Sequence, residues 1–574
     1  MKTHFEQHFA EPDPVLTLQH ELSNPDQYAF LNDTSIDIDE AVPNEAEVKS
    51  VLKTFKNNKS GGTDKLKTEG LKYNSSLNLV ESIVALMTLI WTLVMVPASW
   101  LHASISCLYK KGPMDDAKNY RGLSIGANMS RILSKILMNR FQKAYETNIS
   151  ETQFGFRQNR STSDGIFVLK TVIDKYGDQL IAVYIDLTAA YDHIPRDFLF
   201  RVLTIRTGAT HLVNILKKLY EGTTASIRGM KAKFDVLVGC RQGGQESPCL
   251  FNYYFDYVMK IAAHKIDEAF PEGWGIEFEY NIPYLCSNRE QRANGRLSGT
   301  EVVRMILYAD DLVLFCKSVQ EAEGVLTIIH TTCKQFGLSI SFKKTKTQVF
   351  NNPELAELPT LFSIAGNIVE NVKEFTYLGQ LITTKESACF TDLRTTRATA
   401  KFHELRSVLC DTDVYLQTRR KILESCVRSR LLYGTQAYYP SEAQFKRLEG
   451  CWNKLLRSMV KGGWKRREVS ENGEVIDYSF VYTNDDISRI LKVNNLRDFM
   501  NAQYLRYTGH SCRLPNTALV KKMLFANPKR RYYRCPWIKI SQLLGVTVDQ
   551  ARSVTQKRGE FNRLICSHVG LTSE

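Results

Sequence analysis

The sequence predicts an α+β fold, with strands concentrated in the middle of the chain and helices in its C-terminal third. Apolar runs rich in β-branched and aromatic residues predict strands at residues 180–185 and on both sides of residue 310. Apolar residues three and four positions apart predict helices at residues 45–57 and again beyond residue 400. The 574 residues, 43% of them hydrophobic, are enough for two to four domains with a substantial core.

The excess positive charge lies at one end of the chain. Residues 401–574 carry 31 Lys and Arg against 16 Asp and Glu, whereas the first 400 residues carry 44 against 45. Such an asymmetry favours a polyanion partner for the C-terminal third, and nucleic acid is the leading candidate. Ordinary solvated basic helices remain the alternative for the charge pattern alone.

The sequence favours a reduced, intracellular setting, without distinguishing nucleus from cytoplasm. The 13 cysteines form no Cys-x-x-Cys pair, and no apolar signal segment follows Met1. An uncharged stretch runs from Ser82 to Tyr109, but Pro97 interrupts it before the roughly 20 apolar residues that a membrane span needs. We therefore expect a buried helix there and no membrane partner.

Two adjacent carboxylates stand between apolar runs in Tyr308-Ala309-Asp310-Asp311, which predicts a β-hairpin with Ala309 and Asp310 at its tip. Neighbouring negative charges at a turn are costly unless a cation binds there, and Mg²⁺ prefers carboxylate oxygen. A solvated Asp-Asp turn is the alternative for the pair alone. Asp186, at the end of the strand 180–185, supplies a third carboxylate. A two-metal phosphoryl-transfer site would need it beside the hairpin, with ions roughly 3.5–4 Å apart.

The order of motifs carries a family resemblance. A strand ending in Asp186, then Tyr191-Asp192, then Arg241-Gln242-Gly243 and the Tyr-Ala-Asp-Asp hairpin together resemble the palm of a reverse transcriptase, most closely that of non-LTR (LINE-type) retrotransposons. The resemblance implies a right-hand polymerase of fingers, palm and thumb with a basic helical C-terminal module. The implied parts are a disordered leader (1–44), fingers with an N-terminal extension (45–179), palm (180–380), helical thumb (381–460) and C-terminal module (461–574).

The resemblance also implies roles at the catalytic centre. Asp186 and Asp310 would ligate two Mg²⁺ ions, or Mn²⁺ in their place, with Asp311 assisting. Lys344, in a lysine-rich stretch after the hairpin, would donate a proton to the departing pyrophosphate; a surface lysine on a strand edge is the alternative.

The incoming nucleotide is assigned to residues before and within the palm. Lys110 and Arg121, on a predicted fingers hairpin, would bind the triphosphate, the lysine as a point charge and the arginine as a bidentate hydrogen-bond donor. The ring of Tyr191 would collide with a 2′-hydroxyl, so this residue argues for DNA synthesis. Gln242 would reach the nucleotide or the template base, and Gly243 would permit close backbone approach to the substrate.

Template and primer contacts complete the expected site. Arg157 and Arg160 would contact template phosphates, although exposed loop arginines are the alternative. Residues 375–379 resemble a primer grip, in which aromatic side chains pack while the backbone holds the primer 3′ end. The residues expected there are Phe375, Tyr377, Leu378 and Gly379. In the C-terminal module, residues 505–510 and 529–534 mix aromatic and basic side chains suited to stacking and phosphate contact. Residues 461–467 predict a hinge before it.

Two positions depart from the family pattern: Gly122 replaces a usual Pro, and Glu246 places a carboxylate where apolar residues are usual. The predicted function is an RNA-directed DNA polymerase with an RNA template, a DNA primer and deoxynucleoside triphosphates as partners. An endonuclease acting in trans would nick the target DNA to create the primer, since no endonuclease domain fits before Glu45. A truncated element is the alternative. A decayed or domesticated nucleic-acid-binding protein stays open, as does an RNA-directed RNA polymerase, which Tyr191 disfavours.

Overall fold

A computed structural model describes residues 1–10, 31, 36–59, 61–73, 77–175, 178–283, 296–384, 389–460, 465–469, 475–480, 482–526 and 536–569. Helices and strands are mixed along the chain, in agreement with an α+β fold. Most of the predicted hinge, at residues 461–464, and the basic aromatic segment 529–534 lie outside the described residues.

The helices are α1 (Lys2–His8), α2 (Glu45–Thr54), α3 (Thr68–Lys72), α4 (Leu77–Leu93), α5 (Asn128–Asn148), α6 (Thr162–Lys175), α7 (Arg196–Thr207), α8 (Thr210–Lys218), α9 (Ser247–Ala269), α10 (Val319–Gln335), α11 (Pro353–Glu357), α12 (Cys389–Glu404), α13 (Arg406–Leu409), α14 (Leu416–Ile422), α15 (Ser429–Leu431), α16 (Glu442–Met459), α17 (Asn484–Leu491), α18 (Leu496–Arg513), α19 (Leu519–Leu524), α20 (Pro536–Leu544), α21 (Val548–Gln556) and α22 (Arg558–Val569). A π-helical turn, Leu423–Arg428, joins α14 to α15.

The strands are β1 (His102–Tyr109), β2 (Tyr120–Ile125), β3 (Leu180–Ile185), β4 (Thr224–Ile227), β5 (Lys233–Asp235), β6 (Ile276–Pro283), β7 (Arg296–Val303), β8 (Met305–Tyr308), β9 (Asp311–Cys316), β10 (Lys346–Phe350), β11 (Thr360–Ile364), β12 (Asn367–Asn371), β13 (Glu374–Tyr377), β14 (Gln380–Thr383), β15 (Lys465–Val469) and β16 (Val475–Phe480).

The first sheet corresponds to the predicted fingers, and its strand order is β2-β1-β4-β5. β1 and β2 pair antiparallel, which confirms the predicted hairpin that carries Lys110 and Arg121. β1 also pairs parallel to β4, a strand within the segment 180–380 that was predicted as palm. Sequence pattern could not reveal this partnership, because strands more than a hundred residues apart leave no local signal of their pairing.

The larger sheet has the strand order β11-β12-β10-β3-β9-β8. All six residues of β3 are buried, because helices cover both faces of the sheet. Ile181, Val183 and Ile185 point into a core shared with α9 and α10. The alternate residues of β3 point into a second core, in which α6 and α19 pack. The central strand therefore holds the residue that follows it, Asp186, against a rigid support.

Within the segment 1–44, which was predicted to be a disordered leader, residues 2–8 form helix α1, while residues 11–30 and 32–35 lie outside the described residues. Phe5, within α1, and Phe9, just after it, are 3% and 6% exposed and pack against the fingers sheet. Seven helical residues are too few to produce a clear apolar period, so packing decides this element and sequence pattern does not.

The described C-terminal helices share cores with the rest of the protein. Leu519 and Met523 of α19 lie in the same core as residues of β3 and β9. The β6–β7 hairpin reaches α19 through a hydrogen bond from Asn281 N to Phe525 O, 3.1 Å long. The C-terminal region is also not purely helical, since it contains the β15–β16 hairpin. Residue 461 therefore does not separate two independent cores.

The uncharged stretch that begins at Ser82 lies mainly in helix α4. One face of α4, including Ile83, Met87 and Ile90, is buried in the main core, as expected for a buried helix. Among the described residues, none of the helices combines the length and the apolar character needed to cross a membrane.

Candidate active site

Asp310 lies at the tip of the β8–β9 hairpin. Tyr308 pairs with Asp311 across the two strands, which leaves Ala309 and Asp310 as the turn. Ala309 has φ +56°, a backbone region uncommon for a residue with a Cβ atom. The predicted hairpin and the identity of its two tip residues are confirmed.

Asp186 lies beside this hairpin. β3 pairs antiparallel with β9, and the last pair is Ile185 with Leu312, so Asp186 and Asp311 both lie just beyond that end of the ladder. The charges of Asp186 and Asp310 both act on Asp311, and that of Asp186 acts on Asp310. Three acidic residues from two separated segments are therefore brought together at one end of the central strands.

The electrostatics of this group favour a cation. Burial of the carboxyl is the largest cause that raises the pKa of Asp310, and repulsion by Asp186 adds to it. The pKa of Asp311 is raised to about 6 by burial and then by Asp310 and Asp186. Lys344 partly offsets this repulsion, with its Nζ 2.8 Å from Asp186 Oδ2. The cluster thus carries more negative charge than its own lysine neutralises.

We tested whether these residues fit a divalent metal. Within the described chain, no cluster of three or more His, Cys, Asp or Glu side chains is arranged as a ready-made metal site. Mg²⁺, however, is commonly held by one or two carboxylates together with substrate phosphates. Asp186 and Asp310 fit that requirement, and relief of the repulsion that raises the pKa of Asp311 would favour binding.

The ring of Tyr191 stacks on the buried ring of Phe251 of α9, with centroids 4.2 Å apart and planes 16° from parallel. Its hydroxyl is close enough to Asp310 for the carboxylate to raise the tyrosine pKa, although burial is the larger cause. Tyr191 is therefore at the carboxylate cluster, where the sequence predicted it. Phe251, which supports the ring, was not recognised from sequence because its role depends on contact across the fold.

Lys110 and Arg121 extend from the fingers hairpin toward the cluster. Burial and the charge of Arg121 lower the pKa of Lys110, whereas Asp192 and Asp186 raise it less strongly. Arg121 in turn lowers the pKa of Asp310. Both side chains belong to exposed residues, so two cations stand near the acidic group and remain accessible from solvent.

The loop of Gln242 and Gly243 lies between palm and fingers. Gln242 Nε2 donates to both carboxylate oxygens of Asp192, at 2.7 and 2.6 Å. Gly243 has φ +105°, and a Cβ there would be 2.7 Å from Leu123 Cδ1. The backbone of Gly243 therefore approaches strand β2 closely, and its expected approach to the substrate stays a prediction.

Arg157 and Arg160 do not have the expected exposure. The side chain of Arg157 is 3% exposed and forms ion pairs with Glu146 and Glu151. Arg160 is also bound to Glu151, with Nη2 2.8 Å from Oε2. Acidic neighbours therefore engage both arginines inside the protein, so these are not exposed loop arginines, and their contacts with template phosphates stay a prediction.

The predicted primer grip is the β13–β14 hairpin. Tyr377 pairs with Gln380, and Leu378 and Gly379 form the turn with φ of +45° and +77°. Phe375 stacks on Tyr184 of the central strand at 4.0 Å, which confirms the expected packing of its aromatic side chain. Tyr377 is also buried, at 3% exposure. Packing thus fixes the turn to the palm sheet.

Comparison with known families identifies this region. The model of the family described as reverse transcriptase (RNA-dependent DNA polymerase) matches residues 108–382. This segment includes Lys110 and strand β2 of the fingers hairpin, the carboxylate cluster and the predicted primer-grip turn. Residues 108–382 form a reverse transcriptase domain.

Individual relatives agree with this identification. The chain is similar to the retrovirus-related Pol polyprotein from type-1 retrotransposable element R2 of Popillia japonica, with 23% identity over 44% of this chain and 32% of the relative. It is similar to the RNA-directed DNA polymerase from mobile element jockey of Drosophila funebris, with 22% identity over 73% of this chain and 44% of the relative. An uncharacterized 91 kDa protein in the cob intron of Schizosaccharomyces pombe is 23% identical over 43% of this chain and 33% of its own length.

These similarities support a reverse transcriptase domain of the non-LTR type. The matched regions span about a third to less than half of the length of these three relatives. The domain has the palm and fingers organisation expected for its family.

Gln153 supports the catalytic turn of the reverse transcriptase domain and was not assigned this role from sequence. Its Oε1 accepts hydrogen bonds from Ala309 N at 2.9 Å and Gly155 N at 2.8 Å. Its Nε2 donates to Ala309 O at 3.2 Å. A Cβ at Gly155 would lie 2.4 Å from Ala309 N, so the two backbones are in close contact. Sequence pattern could not reveal this contact, because Gln153 and Ala309 are 156 residues apart in the chain.

Glu246, one of the two departures from the family pattern, turns away from the carboxylate cluster. Its side chain is buried and accepts a hydrogen bond from the hydroxyl of Tyr220 at 3.0 Å. The unusual carboxylate therefore has a hydrogen-bond partner in the interior, which sequence spacing did not reveal.

Proposed function

We propose that this chain is an RNA-directed DNA polymerase that extends a DNA primer on an RNA template with deoxynucleoside triphosphates. The single observation that carries the proposal is the register that pairs Ile185 with Leu312, which brings Asp186 close to Asp311 and to Asp310 at the adjoining tip. Two carboxylates from separate strands are the donor set that two-metal nucleotidyl transfer requires. Similarity to a jockey protein named RNA-directed DNA polymerase supports the same activity.

The reaction joins one nucleotide to the primer. The primer 3′-oxygen forms a bond to the α-phosphorus, the bond from that phosphorus to the β-phosphate oxygen breaks, and pyrophosphate leaves. Metal ions bound at Asp186 and Asp310 would supply activation of the hydroxyl and stabilisation of the leaving group. Lys110 and Arg121 would bind and orient the triphosphate.

Lys344 would act on the leaving group. Its ammonium is 2.8 Å from Asp186, so it already lies beside the carboxylate that faces the nucleotide. When the carboxylate of Asp186 binds another partner in place of Lys344, the ammonium of Lys344 is free to donate its proton to a pyrophosphate oxygen.

Choice of sugar is assigned to Tyr191. The ring of Tyr191 cannot move toward the core and away from a bound nucleotide, because the ring of Phe251 is stacked on it with centroids 4.2 Å apart. A rigid ring at the position of a 2′-hydroxyl rejects ribose by steric exclusion, and this favours DNA as the product.

The proposal is tested by primer extension on an RNA template with Mg²⁺. The full chain should incorporate deoxynucleotides, and Asp310→Asn should abolish incorporation while primer–template binding persists. Asp197→Asn is the matched control, because that carboxylate is 91% exposed on α7 and pairs weakly with Lys217 at 3.7 Å. Binding of the primer–template without extension would instead indicate a nucleic-acid-binding protein. A preference for ribonucleotides over deoxynucleotides would indicate an RNA polymerase.

A further inference from the structure

We propose that helix α1 holds the nucleotide-recognition loop of the polymerase in position, with His8 as the positioning residue. The inference rests on the proposed function, because it concerns the same nucleotide site. The path of contact runs from His8 to Asp192 and then to Gln242.

Helix α1 is anchored on the fingers sheet, close to Arg121. Gly122, the next residue, is buried, and a Cβ there would lie 2.7 Å from Cε1 of Phe5. Phe9 is buried in the same small core, and its carbonyl accepts a hydrogen bond from Leu237 N at 3.0 Å. The absence of a side chain at Gly122 therefore makes room for α1, which explains this departure from the family pattern.

His8, at the end of α1, reaches the palm. Its Nε2 lies 3.0 Å from Asp192 Oδ2, the same oxygen that accepts from Gln242 Nε2 at 2.6 Å. The other oxygen, Oδ1, accepts from Gln242 at 2.7 Å. The side chain of Asp192 is only 8% exposed, so its orientation depends on these protein donors. In the described chain, α1 thus supplies one of the two side chains that hydrogen-bond this carboxylate.

Gln242 is connected to the parts of the site that face the nucleotide. Its carbonyl accepts from Ser124 N of β2 at 2.8 Å, and nearby Cys240 N donates to Tyr191 O at 2.8 Å. A change in the orientation of Asp192 would therefore shift the loop that contains Cys240 and Gln242. This loop is hydrogen-bonded both to β2 of the fingers and to Tyr191, the residue proposed to select the sugar.

Loss of His8 would also affect Lys110. The negative charge of Asp192 already attracts the ammonium of Lys110. If His8 no longer donates to Asp192, the carboxylate becomes a stronger competitor for this ammonium. Lys110 would then be less available to the triphosphate, so both consequences weaken nucleotide binding and spare the primer–template duplex.

The test uses the full chain with His8→Ala, His8→Gln and His4→Ala. Glutamine places a donor near the position of histidine Nε2, whereas His4 lies one turn earlier on α1, with its ring stacked on His8 at 5.8 Å. Single-nucleotide incorporation gives KM for the deoxynucleotide and kcat. Equilibrium titrations give Kd for primer–template and for a fluorescent deoxynucleotide.

We expect His8→Ala to raise KM about tenfold, the effect of losing one hydrogen bond to a charged group, with kcat and primer–template Kd within about twofold. His8→Gln should recover most of the loss, and His4→Ala should resemble the parent protein. Unchanged KM in His8→Ala, a selective loss of primer–template binding, or failure of His8→Gln to recover would overturn the inference.

The two proposals fail in different ways. If the parent protein incorporates no nucleotide, the proposed function is refuted, and the nucleotide Kd still tests His8. A tenfold weaker Kd in His8→Ala would then support the positioning role, and an unchanged Kd would refute it. Gly122→Ala provides a second variant, because displacement of Phe5 should raise KM in the same way; an unchanged KM in that variant would contradict the role of α1.

Discussion

The ring of Tyr191 is stacked on the ring of Phe251, with centroids 4.2 Å apart. Phe251 is fully buried in α9, whereas Tyr191 is partly exposed at the carboxylate cluster. One aromatic residue therefore supports another that faces the proposed nucleotide site. The sugar discrimination that we propose for Tyr191 would therefore depend on Phe251, which is itself fully buried.

Two replacements of Tyr191 should distinguish the contribution of its ring to sugar discrimination from that of its hydroxyl. The hydroxyl is buried and has no hydrogen-bond partner among the described residues, so Tyr191→Phe should keep discrimination and leave stability unchanged or raised by up to about 1 kcal/mol. Tyr191→Ala should raise ribonucleotide incorporation relative to deoxynucleotide by about a hundredfold. The kcat/KM ratio for the two sugars measures both effects. Loss of discrimination in Tyr191→Phe would show that the hydroxyl, and not the ring, rejects ribose.

Phe251→Leu should weaken discrimination without touching the substrate. A smaller support lets the Tyr191 ring retreat, and we expect the deoxynucleotide preference to fall about tenfold. Phe255→Leu is the matched control, since Phe255 is also buried on α9, 5.5 Å from Phe251. Equal loss of discrimination in both variants would indicate a general core defect, and thermal unfolding would report the stability of each.

Stability should depend on the protonation of Asp311. The pKa of Asp311 is raised from 3.8 to about 6 in the fold, mainly by burial and by Asp310. Its protonated form is thus favoured by folding, and this contribution is full below pH 3.8 and lost as the pH rises through about 6. Asp311→Asn should stabilise the metal-free protein near pH 7 by about 1 kcal/mol, a value reduced for solvent screening because Asp311 is only partly shielded from water.

Denaturant unfolding at about pH 4 and about pH 7 measures this effect, with Asp197→Asn as the control. The gain in the free energy of unfolding should be present near pH 7 and nearly absent near pH 4. A gain of equal size at both values would contradict the link to ionisation, and activity should be lost in Asp311→Asn at either pH.

Gln153→Leu should impair the catalytic turn. The substitution removes the partners of Ala309 N, Ala309 O and Gly155 N, which Gln153 satisfies at 2.8–3.2 Å. We expect a decrease of about 2 kcal/mol in the free energy of unfolding and at least a tenfold decrease in kcat. Gln158→Leu, at an exposed position of the same loop, is the control. A normal kcat in Gln153→Leu would show that the turn keeps its geometry unaided.

Met523→Ala should destabilise the palm although the residue lies far along the chain. Met523 is fully buried in the core that α19 shares with β3 and β9. Loss of its side chain should cost about 2–5 kcal/mol, measured by denaturant unfolding. Ile490→Ala, at a position that is 44% exposed, should change stability by about 0.5 kcal/mol or less. A chain ending at residue 460 that unfolds at the parent temperature would disprove the shared core.

Local sequence pattern was sufficient for the central elements of the site. The apolar run before Asp186 predicted β3, and the runs around Asp310 predicted the β8–β9 hairpin and its tip residues. These predictions succeeded because strand formation and a tight turn depend on residues that are adjacent in the chain. The fingers hairpin, β1–β2, was predicted for the same reason.

Side-chain partners were less predictable. Arg157 and Arg160 were expected to contact template phosphates, yet Glu151 pairs with both of them and Glu146 pairs with Arg157. Glu246 was noted only as an unusual carboxylate, yet Tyr220 donates a hydrogen bond to it in the interior. Each outcome depends on which neighbour the fold brings within about 3 Å, and sequence spacing does not encode that distance.

Sequence pattern alone was enough to predict three acidic residues after or between strands, and an aromatic residue five positions past Asp186. The contacts that support these residues became visible only in the folded chain: Phe251 packs on Tyr191, Gln153 bonds the turn at Ala309, and α1 packs on the fingers sheet. Strands and turns arise from short-range periodicity, whereas supporting contacts arise from packing between segments distant in sequence.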